Sequence, residues 1–136
     1  EIALASQVTI DFGRILRESG ASSLNDVSDG LSREINEIAL ASQVTIELEK
    51  ERIPLSDELC RWGQDCGKEP FHFAINGGED YELVGTISKK NWEYVKGIGG
   101  VTGIGHVTKA GKGQVFLKDK NSIKLLTIAG YDHFRL

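Results

Sequence analysis

An α+β layer fold, rather than a purely parallel sheet, is what this sequence predicts, and three features carry the expectation. Apolar residues recur at helical spacing in some segments and alternate with period two in others. These segments interleave along the chain, and the last two extended ones lie close enough to form a hairpin. With 136 residues the chain has a common single-domain size, so one core is expected.

Taken in order, Asp11 to Ser19 reads as a helix, with Phe12, Ile15 and Leu16 on one stripe and Gly20 as its stop. Ser23 to Val27 reads as a short strand. A helix from about Gly30 to Ser42 follows, with Asp29 as its candidate cap and Leu31, Ile35, Ile38 and Ala39 at helical spacing. Val44 to Leu48 alternates like a strand. Ile53 to Glu58 ends a strand and caps a helix over Ser56 to Gly67 that carries Cys60 and Cys66. Those cysteines fall on different helical faces, so buried free thiols are expected rather than a disulfide, and no companion Cys or His stands at zinc-ligand spacing. Asp80 to Ile87 reads as a strand leaving a Gly77-Gly78 turn, and Lys89 to Ile98 as an amphipathic helix bearing Trp92 and Val95. Gly103 to Thr108 is a strand among glycine-rich turns, and Gln114 to Lys118 with Ile123 to Thr127 makes the hairpin.

The first ten residues, EIALASQVTI, recur letter for letter at Glu37 to Ile46. Repeat architectures diverge between units and need about three of them, so residues 1–10 read as an engineered or artefactual copy placed ahead of a domain over 11–136. The second copy has a helix and a strand around it. The first has no upstream cap and is expected to fray or to borrow a partner.

The composition is that of an ordinary globular protein. A net charge of −4 argues against bulk nucleic-acid binding, which needs a basic patch. No run approaches the roughly 18 to 20 apolar residues of a spanning helix, and no leader pattern is visible, so a cytoplasmic chain without membrane partners is expected. The lack of an initiating Met implies that the native start lies elsewhere.

Chemistry concentrates in two acidic, glycine-flanked clusters, Asp26-Val27-Ser28-Asp29-Gly30 and Gly77-Gly78-Glu79-Asp80-Tyr81-Glu82-Leu83. Crowded carboxylates repel one another unless they are solvated or a cation sits among them. Asp26 and Ser28 share a face in an extended stretch, and Asp29 stands at a helix start, where phosphate is also favoured. Two metal ligands and a nucleotide-contacting hydroxyl are one reading. A capping Asp29 beside a solvated Asp26 is the other. Glu79, at its turn, is placed to meet a ligand amine or a metal, or simply to form an acidic rim. The remaining glycines fit neither a dinucleotide fingerprint nor a P-loop, and His72, His106 and His133 make no nucleophile arrangement. Tyr131, in Gly130-Tyr131-Asp132-His133-Phe134, offers a ring face for stacking on a planar cation, or belongs to a docked tail.

These motifs, with Ile104-Gly105-His106-Val107 between them, resemble in order the C-terminal half of thiamine-monophosphate kinases, from about Asp11 to Phe134. The resemblance implies a layered α/β sandwich of the aminoimidazole ribonucleotide synthetase C-terminal-domain type, a mixed sheet with helices packed on it. It implies ATP-dependent phosphorylation of thiamine monophosphate, with Mg2+ on Asp26 and Asp29, ATP at Ser28, and the thiamine end at Glu79 and Tyr131. It also implies an N-terminal domain that this sequence lacks, with further metal-binding aspartates and a dimerising sheet. Full-length relatives are thus expected as homodimers and this chain as inactive alone. Two alternatives stand beside it. One is another ATP-using enzyme of the same superfamily, which would not need Glu79 and Tyr131 together. The other is a folding or assembly chain in which the duplicated segment exchanges between copies. A likeness of Gly-Gly-Glu-Asp-Tyr to diguanylate cyclases has nothing else to support it.

Overall fold

The computed structural model describes residues 1–5, 10–78 and 82–128. The elements are β1 (Ile2–Ala5), α1 (Ile10–Glu18), β2 (Ala21–Asp26), α2 (Leu31–Ser42), β3 (Val44–Glu49), α3 (Asp57–Cys66), α4 (Pro70–Asn76), β4 (Leu83–Ile87), α5 (Lys89–Val95), β5 (Val101–Ala110), β6 (Gln114–Asp119) and β7 (Ser122–Leu125). The seven strands among the described residues form one sheet in the order β2-β4-β1-β5-β3-β6-β7. Only β3 and β6 pair in parallel; every other neighbouring pair is antiparallel. The sheet is therefore mixed and the class is α+β, as the interleaved helices and terminal hairpin predict.

Alternation along the strands assigns the helices to faces. Val84 joins the core that α2 and α4 build with Leu31, Ile35, Ile38, Phe71 and Ile75. Leu83, one residue away and so on the other face, lies under α1, where a Cβ on Gly13 would be 3.7 Å from its Cδ1. Trp92 of α5 packs against Gly103 of β5. Gly103 pairs with Ala3, next to Ile2, which points into the α2 side. Helices thus cover both faces, a three-layer arrangement.

The letters Ile-Ala-Leu-Ala of the duplicated segment take two structures. In β1, Ile2 to Ala5 sits between β4 and β5, with Ile2 and Ala3 buried and the N-terminal ammonium bonded to the Ile87 carbonyl at 3.0 Å. The same four letters at Ile38 to Ala41 lie inside α2, where Ile38 and Ala39 are buried and Leu40 is exposed. Ala and Leu prefer helices. In β1 that preference yields to two flanking strands whose backbone groups a helix would leave unpaired. The first copy does borrow partners, and it borrows two.

Other expectations need correction. Asp29 is not the cap of α2: the N-cap is Gly30, with no side-chain cap bond. Ser56 does cap α3, accepting from the Leu59 N–H at 3.1 Å, but the chain before it makes a 3-10 turn over Lys50–Arg52 rather than a strand end. Helix α4, opened by Pro70, went unread because its short Phe-His-Phe run shows no clear period. Helix α5 stops at Val95, short of Ile98. The cysteines are free as expected, yet not buried: Cys66 is exposed and Cys60 only partly covered, because α3 packs on the outer side of α4.

Candidate active site

The two acidic clusters are far apart in sequence and adjacent in the fold. Asp26, the last residue of β2, pairs with Leu83, and the Val27 N–H donates to the Glu82 carbonyl at 2.8 Å. The chain then turns through Ser28 and Asp29 into α2. Glycine permits that turn to lie against the second cluster. Gly30 has φ 100°, and a Cβ on it would stand 3.0 Å from the Asn76 carbonyl carbon and oxygen. On the facing side, a Cβ on Gly78 would stand 2.6 Å from the Ser28 carbonyl oxygen. The two loops are backbone against backbone. A side-chain link adds to this: Ser32 Oγ donates to Asn76 Oδ1 at 2.9 Å, and Asn76 Nδ2 lies 3.2 Å from His72 Nδ1.

On this locked turn Ser28 Oγ donates to Asp26 Oδ2 at 2.5 Å, which places the two on one side, as period two requires. Asp26, Ser28 and Asp29 are all exposed at the N-terminus of the 12-residue α2, where the helix dipole and amide groups favour anions. Asp29 pairs with Arg33 at 3.7 Å, and both are well exposed, so that contact holds little and leaves the carboxylate available. Behind them Glu34, 8% exposed, accepts from Asn25 Nδ2 at 3.2 Å. Burial pushes the Glu34 carboxyl above its ordinary range; the Asn25 bond opposes this, and the charges of Glu37, Asp26 and Asp29 reinforce it. Sequence reading passed over Glu34, although 31, 34, 35 and 38 form one helical stripe and a carboxylate there is a signal.

Hard oxygen donors of this kind suit Mg2+, which keeps waters and takes phosphate oxygens for much of its shell. Among the described residues no group of three or more His, Cys, Asp or Glu could hold a metal ion; Asp26 and Asp29 offer two exposed carboxylates at this turn. Glu79 and Tyr131 lie outside the described residues. His106 is not brought here: it faces Glu49 at 3.4 Å and Glu1 at 3.9 Å. A groove of about 1010 Å³, lined by Glu1, Ser22, Thr86, Ser88, His106 and Thr108 among others, contains none of the cluster residues. A smaller cavity of about 130 Å³ adjoins the cluster instead, lined by Val27, Leu31, Ser56, Ala74 and Glu82 among others. No helix among the described residues is long and apolar enough to cross a membrane.

Residues 3–118 match the family described as AIR synthase related protein, C-terminal domain. The thiamine-monophosphate kinase of Bacillus subtilis (strain 168) is 38% identical over 131 residues, covering 93% of this chain and 39% of that protein. The thiamine-monophosphate kinase of Escherichia coli (strain K12) is 34% identical over 127 residues, covering 90% of this chain and 38% of that protein. The chain thus spans about two-fifths of the length of these curated relatives. Among solved structures, one described as AaThiL complexed with AMPPCP and TMP aligns with TM-score 0.67 and 35% identity, over 86% of this chain and 36% of that one. The hydrogenase maturation protein HypE in complex with ATP aligns with TM-score 0.72 over 93% of this chain and 49% of that one, at 18% identity, which is a likeness of fold alone.

Proposed function

Because this chain belongs to the family of AIR synthase related proteins through its C-terminal domain, we propose that it is the C-terminal part of an ATP-dependent kinase that phosphorylates thiamine monophosphate to the diphosphate. The observation that carries the reading is the backbone contact between the Asp26–Gly30 turn and the Asn76–Gly78 turn. It brings the two turns together, which supports reading Asp26, Ser28 and Asp29 as the metal–nucleotide side and the second cluster as the acceptor side. Asp26 and Asp29 would hold Mg2+, and Ser28 would meet the nucleotide at the N-terminus of α2. When bound, the metal would neutralise charge on the phosphates. The protein's own share is positioning: the Gly30 and Gly78 contacts fix the turn, and Ser32 with Asn76 ties it to α4.

Glu79 and Tyr131 would take the cationic, planar thiamine end. Fold alone does not choose the substrate, since HypE aligns with the higher TM-score at lower identity. The choice rests on Glu79 and Tyr131, and an enzyme of another specificity would keep thiamine monophosphate affinity when either is replaced.

The paired turns would be one side of a site, and the curated relatives are more than twice as long. The chain alone is therefore expected to show no turnover in a coupled kinase assay with ATP, Mg2+ and thiamine monophosphate. Normal turnover would overturn the half-site reading. Full-length protein carrying these residues is expected to turn over, and loss of that activity in Asp26→Asn or Asp29→Asn would support their role.

A further inference from the structure

Glu34 is the one charged side chain among the buried residues described, and the metal–nucleotide reading leaves it without a task. A carboxylate in the first turn of α2, close to Glu37, Asp26 and Asp29, is a costly choice where an apolar side chain would pack. What it does make is the 3.2 Å hydrogen bond from Asn25 Nδ2. Asn25 pairs with Val84 and so points to the α2 side of the sheet, while Asp26 follows it on β2. The bond spans the two arms of the turn that carries Asp26, Ser28 and Asp29: one end is on β2, the other on α2. It closes the turn from the core side, as the Gly30 and Gly78 contacts hold it from the α4 side.

We propose that Glu34 is a positioning residue for the metal site: its hydrogen bond to Asn25 fixes the end of β2 against α2 and thereby the spacing of Asp26 from Asp29. This rests on the reading of those two aspartates as metal ligands. Glu34 touches no ligand itself, and its role is carried by an acceptor oxygen rather than by its charge. Gln keeps that acceptor; Met fills the volume without it.

The test is Mn2+ titration of the whole chain, followed by the electron paramagnetic resonance signal of the free ion, with thermal melts alongside. Glu34→Met and Asn25→Leu should each weaken Mn2+ binding about fivefold, the scale of one hydrogen bond. Glu34→Gln should stay within about twofold of wild type, and the double variant Asn25→Leu/Glu34→Met should be no weaker than either single one. Equal loss in Glu34→Gln and Glu34→Met would mean that the charge matters and not the bond, which overturns the proposal. So would unchanged affinity in Glu34→Met. If Glu34→Met fails to fold, Asn25→Leu and Glu34→Gln decide by the same criteria. If Asp26→Asn leaves Mn2+ binding unchanged, or wild type binds none, the ligand reading itself falls and the proposal with it.

Discussion

Replacing Gly30 with alanine tests whether the two acidic turns are built as one unit. Gly30 sits at φ 100° and ψ 146°, a region that side chains rarely adopt, and forcing it costs about 1–3 kcal/mol. The new Cβ would stand 3.0 Å from the Asn76 carbonyl and 3.1 Å from the Gly77 oxygen. Both are backbone atoms that cannot rotate away, so overpacking adds about 1–3 kcal/mol. The less flexible unfolded chain returns about 0.4–1 kcal/mol. A net loss of about 3 kcal/mol is expected. With about 2.1 cal/mol/K of unfolding entropy per residue over 136 residues, that lowers Tm by about 10 °C. Gly99→Ala is the control, because a Cβ there meets nothing within 4 Å. Urea titrations of both variants, with calorimetric melts, give the comparison. If Gly30→Ala is as stable as Gly99→Ala, the contact between the turns is not what the geometry says.

Ile2→Ala should cost about 2–5 kcal/mol in urea titrations, since Ile2 is fully buried in the core; a loss under about 0.5 kcal/mol would mean that β1 is no part of it. Glu34 contributes a pH dependence of definite sign. Its carboxyl pKa is raised on folding, so the native state holds more proton than the unfolded one from about 4.5 up to the raised value. Stability from this group is present below that window and falls as pH rises through it. Glu34→Gln should remove this decline and be at least as stable as wild type at pH 7, as urea midpoints at pH 4 and pH 7 will show. Native thiol labelling should modify Cys66 faster than Cys60, in line with their exposure; equal rates would contradict the placement of α3.

Every strand but β1 and most helices are legible because each writes its period locally: Leu31, Ile35 and Ile38 for α2, the alternation of Val44 to Leu48 for β3. The acidic clusters were legible as chemistry, since carboxylates beside glycine demand an explanation from charge alone. Their contact was not, because Gly30 against Asn76 is a tertiary fact with no local pattern. Nor could the sequence say that the same four letters, Ile-Ala-Leu-Ala, would be strand in β1 and helix in α2, where neighbours outweigh propensity. Asp29 has the side chain and the position of a cap, but the turn puts Gly30 at that place, with a φ of 100° that favours glycine.

The most direct test of the central claim is an amide chemical-shift map of the chain titrated with Mg-ATP and, separately, with thiamine monophosphate. The account predicts that Mg-ATP moves the amides of Asp26 to Leu31 and that thiamine monophosphate moves those from Gly77 to Glu82. Shifts confined to the groove of Ser22, Thr86 and His106, or none with either ligand, would contradict it.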